Sequence, residues 1–182
     1  MQEQVLLAAL TLPRKDGEPE ADWLDRVKED GKAQAKAAAD RGTDMHNQIE
    51  DVFKGGTASA FAYKVYHAVN TEFGSQQWVT EASFASSLGF GGKVDLHSKT
   101  DNIVIDYKTK DKVDDKVAVY DEHVMQLAAY RVGLGIPYAK CANVFVDMDG
   151  NVKIITHTEE ELDKGWQMFM ALLSFYRIKN NI

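Results

Sequence analysis

The chain has 182 residues, 45% hydrophobic and 27% charged, with a formal net charge of -7; this is the composition of an ordinary soluble globular domain long enough to bury a core. The acidic balance argues against indiscriminate binding of polyanions. It leaves a metal-loaded nucleic-acid enzyme open, because acids gathered round divalent ions become effectively cationic. A single cysteine, Cys141, excludes an internal disulfide and a four-cysteine zinc or iron–sulfur site.

In chain order, residues 2–11 carry apolar positions at helical spacing, ended by Leu12-Pro13. No basic segment and cleavage site mark a leader there, and no apolar run reaches the ~20 residues of a membrane span. With the lone cysteine, this gives an expectation of no membrane association and a reducing, cytoplasmic setting. After a polar loop, Asp22 is a plausible N-cap for a second helix, into which the alanine-rich run 33–39 fits. Gly42 is expected to break or bend that helix and Thr43 to cap a new one carrying Met45, Ile49, Val52 and Phe53 on one side. Gly55-Gly56 ends it, and Thr57 opens another helix to about Glu72 with Phe61, Val65 and Val69 inward.

From Gln77 the period changes to two. Residues 78–84 read as a strand, Leu88 to Gly92 as a turn, Lys93 to His97 as its antiparallel partner, and Asn102 to Thr109 as a third strand. Glu122 to Leu134 is an amphipathic helix. Ala139 to Val146 and Val152 to Thr156 form a hairpin around Asp147-Met-Asp-Gly-Asn, and Thr158 caps a last helix to about Ile178. The order predicts one α/β domain over 1–182: a mainly helical stretch 1–73, a small mixed β-sheet with one helix over 77–157, and a terminal helix over 158–182.

The chemistry gathers on the third strand. Asp106 and Lys108, two apart, leave one face of it, and Asp95 stands on the strand before. Two acids and a lysine suit a hard divalent ion and a phosphate, although the same Asp–Lys pair would also serve as a buried structural ion pair. His46 and Glu50 share one side of a helix, as a metal ligand with its neighbour or as surface residues. Gln126 and Tyr130 share another, suited to a phosphate or to holding the lysine. Glu81 sits mid-strand on the side of Val79 and Ser83, either supporting the metal shell or exposed. Asp147 and Asp149 lack the full calcium-loop pattern, and no phosphate loop, dinucleotide fingerprint or nucleophilic triad is present.

Together, Arg41-Gly-Thr-x-x-His46-x-x-Ile-Glu50, Gly92-x-x-Asp95, Ile105-Asp-Tyr-Lys-Thr109 and Gln126-x-x-x-Tyr130 resemble the RecB-like exonuclease branch of the PD-(D/E)XK nuclease superfamily. The four motifs span residues 41 to 130 in the family's order. The resemblance implies a restriction-endonuclease-like core and a DNA exonuclease using one or two Mg²⁺ or Mn²⁺ ions in a prokaryotic or phage-infected cell; the four-cysteine iron–sulfur cluster that some relatives carry is excluded by the lone Cys141. It implies metal binding by His46, Asp95, Asp106 and the Tyr107 carbonyl, with Lys108 catalytic. Substrate contact would fall to Gln126, Tyr130, Glu81, Glu50 and Arg41. Asp106 stands where the superfamily often has Glu, and relatives tend to have a further N-terminal segment. DNA is the expected partner, and no residue pattern marks an oligomer interface.

Three alternatives compete with the exonuclease: a structure-selective endonuclease, an inactive DNA-binding or docking module on the same fold, and a glycosidase-type pair of Asp95 and Asp106. Lys108 speaks against the last, because a neighbouring ammonium keeps an acid ionised and spoils it as a proton donor.

Overall fold

The computed structural model describes residues 11–57 and 59–182, so the helix expected over 2–11 lies outside the described residues except at Thr11. The elements are α1 (Glu20–Phe53), α2 (Ala60–Phe73), β1 (Val79–Ser86), β2 (Phe90–Ser98), β3 (Ile103–Thr109), α3 (Asp121–Gly133), β4 (Lys140–Val146), β5 (Val152–Thr156) and α4 (Glu159–Asn180). Two compact units divide the chain, Met1–Met45 and His46–Ile182.

In the first unit, Trp23 Nε1 donates to Leu12 O at 2.7 Å, and Arg26 grips Glu18 through Nε and Nη2 at 3.0 and 2.8 Å. The Glu18 carboxyl is held down to about 2, chiefly by that hydrogen bond. Helix α1 begins at Glu20, with Trp23 N donating to Pro19 O. Asp22 is therefore a first-turn residue rather than the cap, where its charge still suits the helix dipole. The break expected at Gly42 does not occur. α1 runs on to Phe53, and Thr43 Oγ1 donates to Ala39 O at 3.1 Å instead of capping a new helix. A glycine costs a helix about 1 kcal/mol, which the alanine-rich run beside it outweighs. The helix expected from Thr57 starts later, at Ala60 after Ser59, and does bury Phe61, Val65 and Val69.

The second unit holds a five-stranded sheet in the order β1-β2-β3-β4-β5. β1, β2 and β3 form an antiparallel meander, β4 runs parallel to β3, and β5 returns antiparallel. The parallel pair needs a crossover, which α3 supplies. This mixed sheet flanked by helices, with a helix-rich N-terminal region, has the order expected of a restriction-endonuclease-like core. Helix α3 packs across the sheet and against α4, burying Leu127 and Ala128 with Val94, Val104, Cys141 and Leu162. Helix α2 packs on β4 and β5. Burial pushes the Cys141 thiol up to about 12, so it is an inert core group.

The loop between β3 and α3 is fastened by the β4–β5 turn. Asp147 accepts from Val113 N at 2.8 Å and from Asn151 N and Nδ2 at 2.9 Å each. Burial opposes its charge, but these hydrogen bonds prevail and hold its pKa below the usual carboxylate range. Asp147 is thus a loop anchor. Thr158 and Glu161 form a reciprocal capping box at the start of α4.

Candidate active site

The site forms where the β1–β2–β3 ladder is interrupted. β2 pairs with β3 only as far as Leu96↔Ile105. One residue further, the Asp95 carboxylate takes over the ladder's role, accepting from Tyr107 N at 2.8 Å through Oδ2. On the other side of β2 the β1 pairing skips Glu81 and Asp95 and resumes at Ala82↔Val94. Glu81 lies there at φ 54, a left-handed conformation that a non-glycine residue adopts at a cost. Three strands therefore depart from regular pairing around one carboxylate.

Asp95 is fixed through Oδ2, and its Oδ1 stands 3.7 Å from His46 Nδ1 at the C-terminal part of α1. The His46 ring also meets the Tyr107 ring edge to face, with centroids 5.8 Å apart. Tyr107 is buried, which drives its phenol far above the ordinary range, and among the described residues its hydroxyl has no hydrogen-bond partner.

Asp106 is buried, 2% exposed. Burial pushes its pKa up to about 6 and Asp95 adds to the rise, against the opposing pull of Lys108 and His46. Lys108 Nζ lies 2.8 Å from Asp106 Oδ2 and donates to Gln126 Oε1 at 2.8 Å. Gln126 Nε2 in turn donates to Tyr130 Oη at 2.7 Å, one turn along α3. Because Tyr130 Oη accepts that bond, its own hydrogen is left to point elsewhere. Burial raises the Tyr130 pKa, so the phenol keeps that hydrogen at neutral pH.

Two further residues belong to this network and were not among the sequence candidates. Asn143, paired with Asp106 across the parallel β3–β4 ladder, donates from Nδ2 to Asp106 Oδ2 at 2.9 Å. His157 Nε2 lies 2.9 Å from Asn143 Oδ1, and since that oxygen only accepts, Nε2 carries the hydrogen. Glu161 stands 3.8 Å from His157 Nδ1. Burial lowers the His157 pKa, which favours the neutral ring. Asn143 is fully buried, so Asn143→Ala leaves Asp106 Oδ2 and His157 Nε2 each short of a partner. A loss of ~1–3 kcal/mol is expected in denaturant unfolding, with cleavage impaired as well. A midpoint equal to wild type would show that the bond holds nothing in place.

The remaining candidates have partners of their own or lie in the first unit. Glu81 ion-pairs with Lys93, and its left-handed backbone breaks the alternation that would have set it beside Val79 and Ser83. Glu50 pairs with Lys54 and accepts a long bond of 3.5 Å from Thr80 Oγ1. Arg41 is an exposed residue of the first unit. Arg131 is 3% exposed and bound by Glu159 at 2.8 Å and Asp163 at 3.1 Å, so its charge is spent inside the fold. Lys110 lies over the Tyr120 ring, and Lys112 stands 3.6 Å from Asp114.

Among the described residues, no three His, Cys, Asp or Glu side chains stand together as a closed metal cage. The two carboxylates still fit a hard divalent ion. Magnesium is commonly held by one or two carboxylates, with water and substrate oxygens filling its shell. A buried Asp106 whose charge Lys108 balances only in part is a group that an added cation would stabilise.

No family model matches the chain, and no curated protein matches it. Among solved structures, a candidate exonuclease from Eubacterium rectale superposes with a TM-score of 0.49 at 14% identity, over 77% of this chain and 68% of that one. The protein SSO0001 superposes with a TM-score of 0.45 at 18% identity, over 94% of this chain and 83% of that one. Among the described residues, no helix is long and apolar enough to cross a membrane.

Proposed function

We propose that the chain is a deoxyribonuclease dependent on Mg²⁺ or Mn²⁺ that hydrolyses phosphodiester bonds from DNA ends. The observation that supports this best is the continuous run of contacts Asp106–Lys108–Gln126–Tyr130, set beside Asp95 at an interrupted strand ladder. Asp95, Asp106, the Tyr107 carbonyl and His46 would hold the ion. When bound, it supplies Lewis acidity toward the phosphate and lowers the pKa of water.

The chain's own residues do the positioning. Gln126 and Asp106 hold Lys108 Nζ from two sides, leaving its third hydrogen to orient the attacking water while its charge meets that growing on the phosphate. Tyr130, its hydroxyl oxygen engaged by Gln126, offers its hydrogen to a phosphate oxygen. Asn143 and His157 keep Asp106 from turning away.

Attack from ends is tested by offering the protein linear and covalently closed circular DNA of one sequence in Mg²⁺. The linear form should be degraded and the circle left intact. Equal loss of both would replace the exonuclease with an endonuclease.

A further inference from the structure

Beside the lysine network lies a cavity of about 250 Å³ between the β1–β2 hairpin, α3 and α4. Its walls are apolar and largely aromatic: Phe84, Phe90, Phe169, Met125 and Leu172. The Phe90 ring stands edge to face with Phe169 at 4.9 Å and with Phe84 at 5.9 Å, while Phe84 meets Tyr130 at 6.0 Å. Glycines bring this wall against α3. A Cβ at Gly133 would come within 2.0 Å of the Phe84 ring, and one at Gly92 within 2.8 Å of Tyr130.

Two of the lining residues belong to the lysine network, Gln126 bound to Lys108 and Tyr130 bound to Gln126, so the cavity adjoins the proposed catalytic centre. Glu122 also lines it and supplies an acceptor of the kind that exocyclic amino groups use. Leu172 is 55% exposed and forms an apolar lip. A flat aromatic ligand joined to a phosphate matches both halves of this arrangement.

We infer that the cavity takes one unstacked nucleobase of the strand being hydrolysed, making a single-stranded or frayed DNA end the preferred substrate; this rests on the nuclease reading above. An unstacked base is sandwiched by aromatic side chains in many single-strand sites, largely irrespective of its identity. Removing that base should weaken binding about tenfold. Duplex DNA would have to fray before a base could enter, so blunt ends should be attacked more slowly than single-stranded ones.

The test uses single-stranded DNA carrying one 5-iodo-2′-deoxyuridine, moved nucleotide by nucleotide from the end, and irradiated with the full chain in Ca²⁺. Crosslinks are mapped by mass spectrometry, and cleavage of the unmodified strand in Mg²⁺ is followed in parallel. One position should crosslink to Met125, Phe90 or Phe169. The exposed-lip variant Leu172→Asp should weaken binding of that strand about tenfold, but leave binding unchanged when the same nucleotide is abasic. Cleavage with no crosslink in the cavity would overturn the base site and leave the nuclease standing. Crosslinking there without cleavage would do the reverse, and the absence of both would remove both.

Discussion

Asp106→Asn should abolish cleavage and, in EDTA, raise the stability of the protein at neutral pH. The sign follows from the burial of Asp106. Its pKa in the folded chain is about 6, against an ordinary aspartate value of 3.8. Between those values the folded state binds more protons than the unfolded state, so stability falls as pH rises from about 4 to about 6. Two units of pKa correspond to about 3 kcal/mol at order of magnitude. Asparagine keeps an oxygen for Asn143 and carries no charge, so the variant escapes this loss. It should melt higher than wild type at pH 7.5, with the gap closing toward pH 4. An Asp106→Asn variant that is less stable at pH 7.5 would mean Lys108 already balances the acid in full. The trade of stability for activity is the mark of a functional site.

Lys108→Ala should reduce cleavage by at least about 10²-fold, the scale seen when one preorganised donor to developing charge is removed. It should also destabilise the fold, because it strands a buried carboxylate; breaking such a pair costs ~3–5 kcal/mol. The double variant Lys108→Ala/Asp106→Asn should recover much of that stability while remaining inactive. Recovery of stability without recovery of activity separates the catalytic part of Lys108 from its structural part. Activity within a few-fold of wild type in Lys108→Ala would remove the lysine from the mechanism.

Much of this site can be read in the sequence, since its parts repeat at spacings set by secondary structure. Asp106 and Lys108 share a strand face and Gln126 and Tyr130 a helix face, and the structure joins the two pairs through the 2.8 Å bond from Lys108 to Gln126. Asn143 was less visible because its link to Asp106 depends on a parallel pairing across a crossover helix, which no local period encodes. A signal existed: Asn143 is the one amide in the run Cys141 to Val146, where a polar side chain is costly unless it is hydrogen-bonded. The left-handed backbone at Glu81 had no such signal, because it arises from tertiary demands on the ladder beside Asp95. Gly42 misleads for the opposite reason: local propensity is a weak prior, and a helix of 34 residues overrides one glycine. Arg131 looks like surface charge in the sequence, and only the docking of α4 on α3 turns it inward to Glu159 and Asp163.

We propose that this lysine and these two acids hydrolyse DNA with a divalent ion. The most direct measurement follows end-labelled linear DNA, single- and double-stranded, with the folded full-length chain in Mg²⁺, in Mn²⁺ and in EDTA, with Asp95→Asn run alongside. Cleavage in either metal, none in EDTA and none by Asp95→Asn is the predicted result. A chain that is folded by circular dichroism and thermal melting yet cuts no DNA in either metal would contradict it.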